Sequence, residues 1–114
     1  MYQYAPDQRI ATEQNAQGID KMSLNHLADF AGKNPKLRTF ARVSLNPGEE
    51  VPFHVHHGEC EYYYILSGTG IYNDNGTELE AKPGLVTFTP DGTGHGIRNT
   101  GKEQLDFIAL IILD

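Results

Sequence analysis

Two histidines one residue apart, with a glutamate five positions further on, form the stretch with the clearest chemical capacity: Pro52-Phe53-His54-Val55-His56-His57-Gly58-Glu59-Cys60-Glu61. Side chains two apart on a strand share a face, so His54 and His56 can send two imidazoles into one interior. Glu61 lies at an odd step from His56 and would face the other way on a continuous strand. A turn over His57-Gly58-Glu59 removes that conflict and lets Glu61 open the neighbouring strand, its carboxylate aimed at the same point. Two imidazoles and a carboxylate on adjacent strands suit a divalent transition metal.

The surrounding elements must supply an enclosure for that point. From Arg38 onward the pattern is short apolar alternations separated by turn signals. Arg38 to Leu45 alternates, and Asn46-Pro47-Gly48 turns the chain; Val51 to His56 and Glu61 to Leu66 follow. Ser67-Gly68-Thr69-Gly70 breaks the pattern before Ile71-Tyr72-Asn73. Asp74-Asn75-Gly76 is a hairpin signal, because Asn-Gly tolerates the positive φ angles of a two-residue turn. Thr77 to Ala81, Leu85 to Thr89, His95 to Asn99 and Gln104 to Leu113 complete about eight strands, the pattern of a sandwich or jelly-roll barrel. Residues 1–37 read differently, as an N-terminal arm with an edge strand at Ile10-Ala11-Thr12. A short helix capped by Ser23 would follow, carrying Leu24, Leu27 and Phe30. The chain is expected to be a single domain overall, the barrel occupying residues 38–114.

Composition narrows the partners. At 114 residues there is one core. A net charge of −6 argues against nucleic acid, which requires a clustered basic face. The longest apolar run, Phe107 to Leu113, suits a buried strand and is too short to span a bilayer, so no membrane partner is expected. A single cysteine excludes an intramolecular disulfide, and the N-terminus lacks a charged-then-apolar leader pattern, so the cytoplasm is the expected location. The last strand is apolar on both faces and must be covered on both, one by the core and the other by a second copy of the chain, which predicts a homodimer.

A fourth candidate ligand is His95, flanked by glycines in Gly92-Thr93-Gly94-His95-Gly96. Taken with the first motif it forms a paired signature. Gly48 is followed after five residues by His54, after one more by His56, after four by Glu61 and after six by Gly68. Gly84 is followed after five by Pro90, after one by Gly92, after two by His95 and after three by Asn99. This arrangement resembles the cupin superfamily, and most closely its small single-domain, oxalate-decarboxylase-like members. The resemblance implies an all-β, cupin-type jelly-roll barrel (a double-stranded β-helix) with a metal inside, and His54, His56, Glu61 and His95 match the family's ligand positions. One departure bears on substrate. Oxalate decarboxylases carry an arginine three residues before the first ligand histidine, and Val51 stands there.

Four such ligands leave a tetrahedral zinc no free position but leave two on an octahedral ion. Manganese, iron, nickel or cobalt therefore fits a catalytic site, whereas a closed site would also accept zinc. The two positions would take a small-molecule carboxylate, an enediol or a catechol-like ligand. The expected function is a metal-dependent decarboxylase or dioxygenase, or an isomerase, acting on an oxygen-rich acid. The alternative is a non-catalytic cupin, either a ligand sensor or a metal-stabilised barrel. Tyr63 shares parity with Glu61 and has the geometry for a catalytic hydrogen bond to a ligand oxygen or to Glu61, or else for a core aromatic. Phe53 and Phe88 read as packing residues, Arg98 as an outward-facing cation, and Arg42 as a solvated strand residue, or a cation for an anionic substrate if its strand faces inward. His57 reads as a turn residue, His26 as a surface or cap histidine, and Cys60 as a small hydrophobe. Glu49, Glu50 and Glu59 read as solvated loop charges, with the pocket rim as the alternative place for Glu59.

Overall fold

The computed structural model describes residues 10–14, 22–27 and 34–114. Ten strands are present among the described residues: β1 (Ile10–Gln14), β2 (Met22–His26), β3 (Leu37–Leu45), β4 (Glu50–Val55), β5 (Glu59–Ser67), β6 (Gly70–Asp74), β7 (Thr77–Ala81), β8 (Val86–Thr89), β9 (Gly94–Arg98) and β10 (Leu105–Leu113). They form a six-stranded sheet in the order β1-β2-β3-β10-β5-β8 and a four-stranded sheet in the order β4-β9-β6-β7. Every pairing is antiparallel. The sheets enclose one core of Val43, Leu45, Val51, Ile65, Tyr72, Ile97, Leu105 and Phe107, with smaller side chains at Ala41, Ala81 and Ala109.

Alternation sets which residues face that core. In β5, Glu59, Glu61, Tyr63 and Ile65 are buried, whereas Tyr62, Tyr64 and Leu66 are exposed. The Asn75-Gly76 turn closes the β6–β7 hairpin with both residues at positive φ, as its sequence requires.

Where the short helix was expected, the described residues are a strand. Residues 22–26 form β2, which pairs with β3 so that Leu24 lies opposite Val43 and His26 opposite Ala41. Leu24 joins the core cluster. Three apolar residues at threefold spacing are too few to nucleate a helix, and pairing to an open sheet edge satisfies the same backbone groups cooperatively. Phe30, the last residue of the expected helix, lies outside the described residues. The edge strand expected at Ile10-Ala11-Thr12 is present as part of β1, so residues from the first 37 extend the larger sheet.

Two local devices shape the site. The first is a bulge in β4 between Val51 and His54, where Pro52 has no N–H to give the ladder. It lets Val51 and His54, three residues apart, both face inward. The strand also presses against β9: a Cβ on Gly96 would come within 2.9 Å of the Val51 carbonyl oxygen and the Phe53 nitrogen. The second is Asn99, buried where three loops meet. Its Nδ2 donates to the carbonyls of Leu45 (2.9 Å) and Glu103 (2.8 Å), and its Oδ1 accepts from the Gly101 N–H (2.9 Å). Asn99→Ala would leave these buried backbone groups unpaired, and the expected cost is about 3 kcal/mol, read as a fall in the urea midpoint at unchanged slope.

Candidate metal centre

The four residues singled out by spacing come together between the sheets. His54 lies on β4 and His95 on β9, directly opposite each other in the ladder. His56 follows β4 and still points inward, and Glu61 reaches across from β5 in the larger sheet. Their ligand-type atoms all lie within 4.8 Å of one another. His56 Nε2 is 3.2 Å from His54 Nε2 and 3.0 Å from His95 Nε2. Glu61 Oε1 is 2.9 Å from His56 Nε2 and 2.8 Å from His95 Nε2. His56, Glu61 and His95 are buried and His54 is half-buried, so the side open to solvent is that of His54.

The opposite ring nitrogens determine what the three Nε2 atoms can offer. His54 Nδ1 donates to the Pro52 carbonyl at 2.8 Å, which leaves its Nε2 with a bare lone pair. His56 Nδ1 lies 2.5 Å from Glu59 Oε2, the geometry of an N–H donating to a carboxylate. His95 Nδ1 lies 2.9 Å from both the Tyr72 and Thr89 hydroxyls, which are 3.1 Å from each other. Each ring is thus held by its outer nitrogen while its Nε2 faces the shared centre, the arrangement that orients histidines toward a metal. Three imidazole nitrogens crowded around one carboxylate oxygen repel one another unless a cation or a proton lies among them. The donor set fits a divalent transition metal.

The titration of these groups follows from the same contacts. Burial lowers the His54 pKa below its ordinary value, and neighbouring His95 and His56 push it the same way. The hydrogen bond from Glu61 raises His56, outweighing burial, with a further upward push from Glu59. Burial pushes Glu61 up, but the hydrogen bonds from His56 and His95 outweigh it and hold the carboxyl below its ordinary value. The His56 Nε2 to Glu61 Oε1 contact of 2.9 Å thus favours a proton on His56, and a metal bound there would have to displace it.

The sign of the pH dependence follows. Protonated His56 stabilises the metal-free fold fully below pH 6.5, and that contribution is lost as pH rises through its raised pKa. Metal binding runs the opposite way, because it needs the lone pair. The gap in melting temperature between metal-loaded and chelator-treated protein is expected to widen from about pH 6 to about pH 9. Scanning calorimetry of both forms checks this, and a constant gap would contradict it.

Around the four, Tyr63 is buried, its ring 4.7 Å from the His95 ring and 4.4 Å from Phe107. Burial pushes its hydroxyl well above the ordinary value, with the Glu61 charge adding to this, so it stays a protonated phenol. Arg42 points outward and pairs with Asp106 at 2.7 Å, and Arg98 is exposed. His57 is exposed beside Gly58 in the turn. Phe53 and Phe88, read as packing residues, are about half exposed.

Glu59 corrects the reading of a solvated loop charge. It is only 4% exposed and belongs to β5, where it binds His56 on one oxygen and Arg38 on the other. Its parity with Glu61 was the available signal, hidden by starting the strand two residues late. Tyr72 and Thr89 carried no signal of their own, since their contact with His95 depends on the packing of β6 and β8 around β9.

A two-sheet jelly roll with three imidazoles and a carboxylate gathered inside it defines the class of small β-barrels built around a metal-type site. The chain belongs to the cupin family: a cupin-domain model matches residues 41–111. It is 43% identical over 106 residues to an oxalate-binding protein of Thermotoga maritima, a match covering 93% of this chain and 86% of that one. A crystal structure of a predicted oxalate decarboxylase from the same organism superposes with a TM-score of 0.90 at 39% identity, covering 100% of both chains. KdgF from Halomonas sp. shares the fold at 17% identity, with a TM-score of 0.76 over 100% of this chain and 95% of that one. No helix among the described residues is long and apolar enough to cross a membrane.

Proposed function

We propose that this chain holds a divalent transition metal on His54, His56, Glu61 and His95 and binds a small carboxylate there. The observation that carries this reading is the convergence of four donor atoms within 4.8 Å, with each histidine held by its other nitrogen. When bound, the metal supplies Lewis acidity and positive charge for an anionic oxygen ligand. Glu61 balances part of that charge, and the three neutral imidazoles leave the rest for the ligand. His54 marks the side from which the ligand enters. Tyr63, fixed as a phenol, can donate to a ligand oxygen but cannot act as a base near neutral pH.

Oxalate is the first ligand to test, given the oxalate-binding relative from Thermotoga maritima. A flat dicarboxylate matches two adjacent open positions on an octahedral ion, which favours manganese, iron, nickel or cobalt over zinc. The enzyme reading is a decarboxylase or dioxygenase acting on such an acid. One observation favours the binding reading instead. Val51 is a buried core residue where decarboxylases of this family carry an arginine, and Arg42 and Arg98 both point away.

Elemental analysis of untagged protein, then oxalate titration of the metal-loaded and chelated forms by calorimetry, tests the proposal. Binding that requires metal supports it; oxalate binding unchanged by chelation overturns it. Turnover of oxalate or related acids by the loaded protein then separates enzyme from binder.

The outer face of the larger sheet supports a homodimer. Tyr62 and Tyr64 on β5 and Val86 and Phe88 on β8 are exposed side by side, next to Ile108, Leu110 and Ile112 on β10. At this strip's β3 side Arg42 and Asp106 neutralise each other, and Arg38, further along β3, pairs with Glu59. A second copy can therefore pack on it without burying an unpaired charge. A monomer by light scattering at micromolar concentration would exclude the dimer. The lone thiol and the absence of any disulfide suit the cytoplasm.

A further inference from the structure

Among the three histidines, His56 is distinguished by its outer partner. His54 donates to a backbone carbonyl, and His95 meets two hydroxyls, all neutral groups. His56 alone of the three meets a carboxylate at Nδ1, Glu59 Oε2 at 2.5 Å. That carboxylate is buried, and a buried charge persists only when its oxygens are satisfied. Its second oxygen accepts from an Arg38 guanidinium nitrogen. Arg38 belongs to β3 and its side chain is 58% exposed, so the chain of contacts runs from the surface of the larger sheet to a ligand of the smaller one.

We propose that Glu59, anchored by Arg38, is a positioning residue for the metal centre. It holds the His56 ring with its proton on Nδ1 and its lone pair on Nε2, and its charge makes His56 the strongest donor of the three. This rests on the metal-centre reading above. A carboxylate behind a ligand histidine orients the ring and raises its basicity, and removing one typically costs about 10–100-fold in metal affinity. Arg38 fixes where the carboxylate stands by donating to its second oxygen. Glu59 thereby links an ion pair within the larger sheet to His56, just past the end of β4, by a hydrogen bond.

The test is cobalt(II) titration of the chelated protein, following the visible bands, for wild type, Glu59→Gln and Glu80→Gln. Glutamine keeps the shape and one acceptor oxygen for His56 Nδ1 but removes the charge and the acceptor that faces Arg38, while exposed Glu80 provides the same charge change on β7. The expected result is about 10–100-fold weaker binding with shifted bands for Glu59→Gln, and wild-type behaviour for Glu80→Gln. Wild-type affinity and bands in a folded Glu59→Gln protein would overturn the proposal and leave the metal reading standing. Failure of wild type itself to take up cobalt would instead overturn the metal reading. A second measurement needs no variant: nitrogen-detected NMR of zinc-loaded wild type should show His56 protonated at Nδ1 with a strongly downfield proton. Finding the His56 proton on Nε2 overturns the proposal even if Glu59→Gln does not fold.

Discussion

His95→Ala is expected to remove stable metal binding while leaving a folded barrel. His95 is 0% exposed, and its Nε2 sits 3.0 Å from His56 Nε2 and 2.8 Å from Glu61 Oε1, at the centre of the donor set. If four ligands share the binding free energy of a divalent ion, losing one costs on the order of 3 kcal/mol, or more than 100-fold in affinity. The stability supplied by the metal falls with it. At a free metal concentration about 1,000 times Kd, that supply is about 4 kcal/mol in wild type. The variant's melting temperature should therefore hardly respond to chelator, whereas wild type should drop by many degrees. The fold should survive because the Tyr72 and Thr89 hydroxyls, 3.1 Å apart, keep each other as partners when the imidazole is gone. Metal content after dialysis and paired melting curves decide the matter. A His95→Ala protein that retains one equivalent of metal would refute the ligand assignment.

Gly68→Ala is expected to be the most destabilising of the single-methyl changes at the motif glycines. Gly68 joins β5 to β6 at φ +84°, and a Cβ there would lie 2.4 Å from the Gln104 carbonyl oxygen and 2.8 Å from the Leu105 Cα. Both are backbone atoms at the start of β10, so no side chain can swing aside. The positive φ alone costs roughly 1–2 kcal/mol. Displacing the β10 entry should bring the total to about 3 kcal/mol or more. Gly92 has nearly the same φ, +83°, with nothing within 4 Å of its added Cβ. Its alanine variant should show the conformational cost and little else. Urea denaturation of the two variants separates strain from steric overlap: equal losses would mean that the loop at Gly68 relaxes more freely than its contacts suggest.

Much of this centre could be read from the chain before folding. The same-face rule placed His54 with His56, and a turn between His56 and Glu61 was required if all three were to meet. The structure has that turn at His57-Gly58, and Glu59, expected to be part of it, already belongs to β5. Parity with Glu61 within β5 also put Tyr63 inside correctly. These are properties of neighbours along one strand, where the pleat alone dictates direction. The segment around residues 22–26 was misread for the complementary reason. Its weak threefold pattern gave no local answer, and the choice of strand was made by an available edge on β3.

What the linear order of residues determined, then, was the set of candidate donor side chains, the strand periods and the turns at which the chain reverses, since each depends on residue type and short-range geometry. What tertiary structure decided was how the ligands are held: Glu59 and Arg38 behind His56, Tyr72 and Thr89 behind His95, and a bulge at Pro52 that lets Val51 and His54 both face inward. Those partners come from different strands and meet only through the register and packing of two sheets. A hydrogen bond between them has no counterpart in sequence spacing.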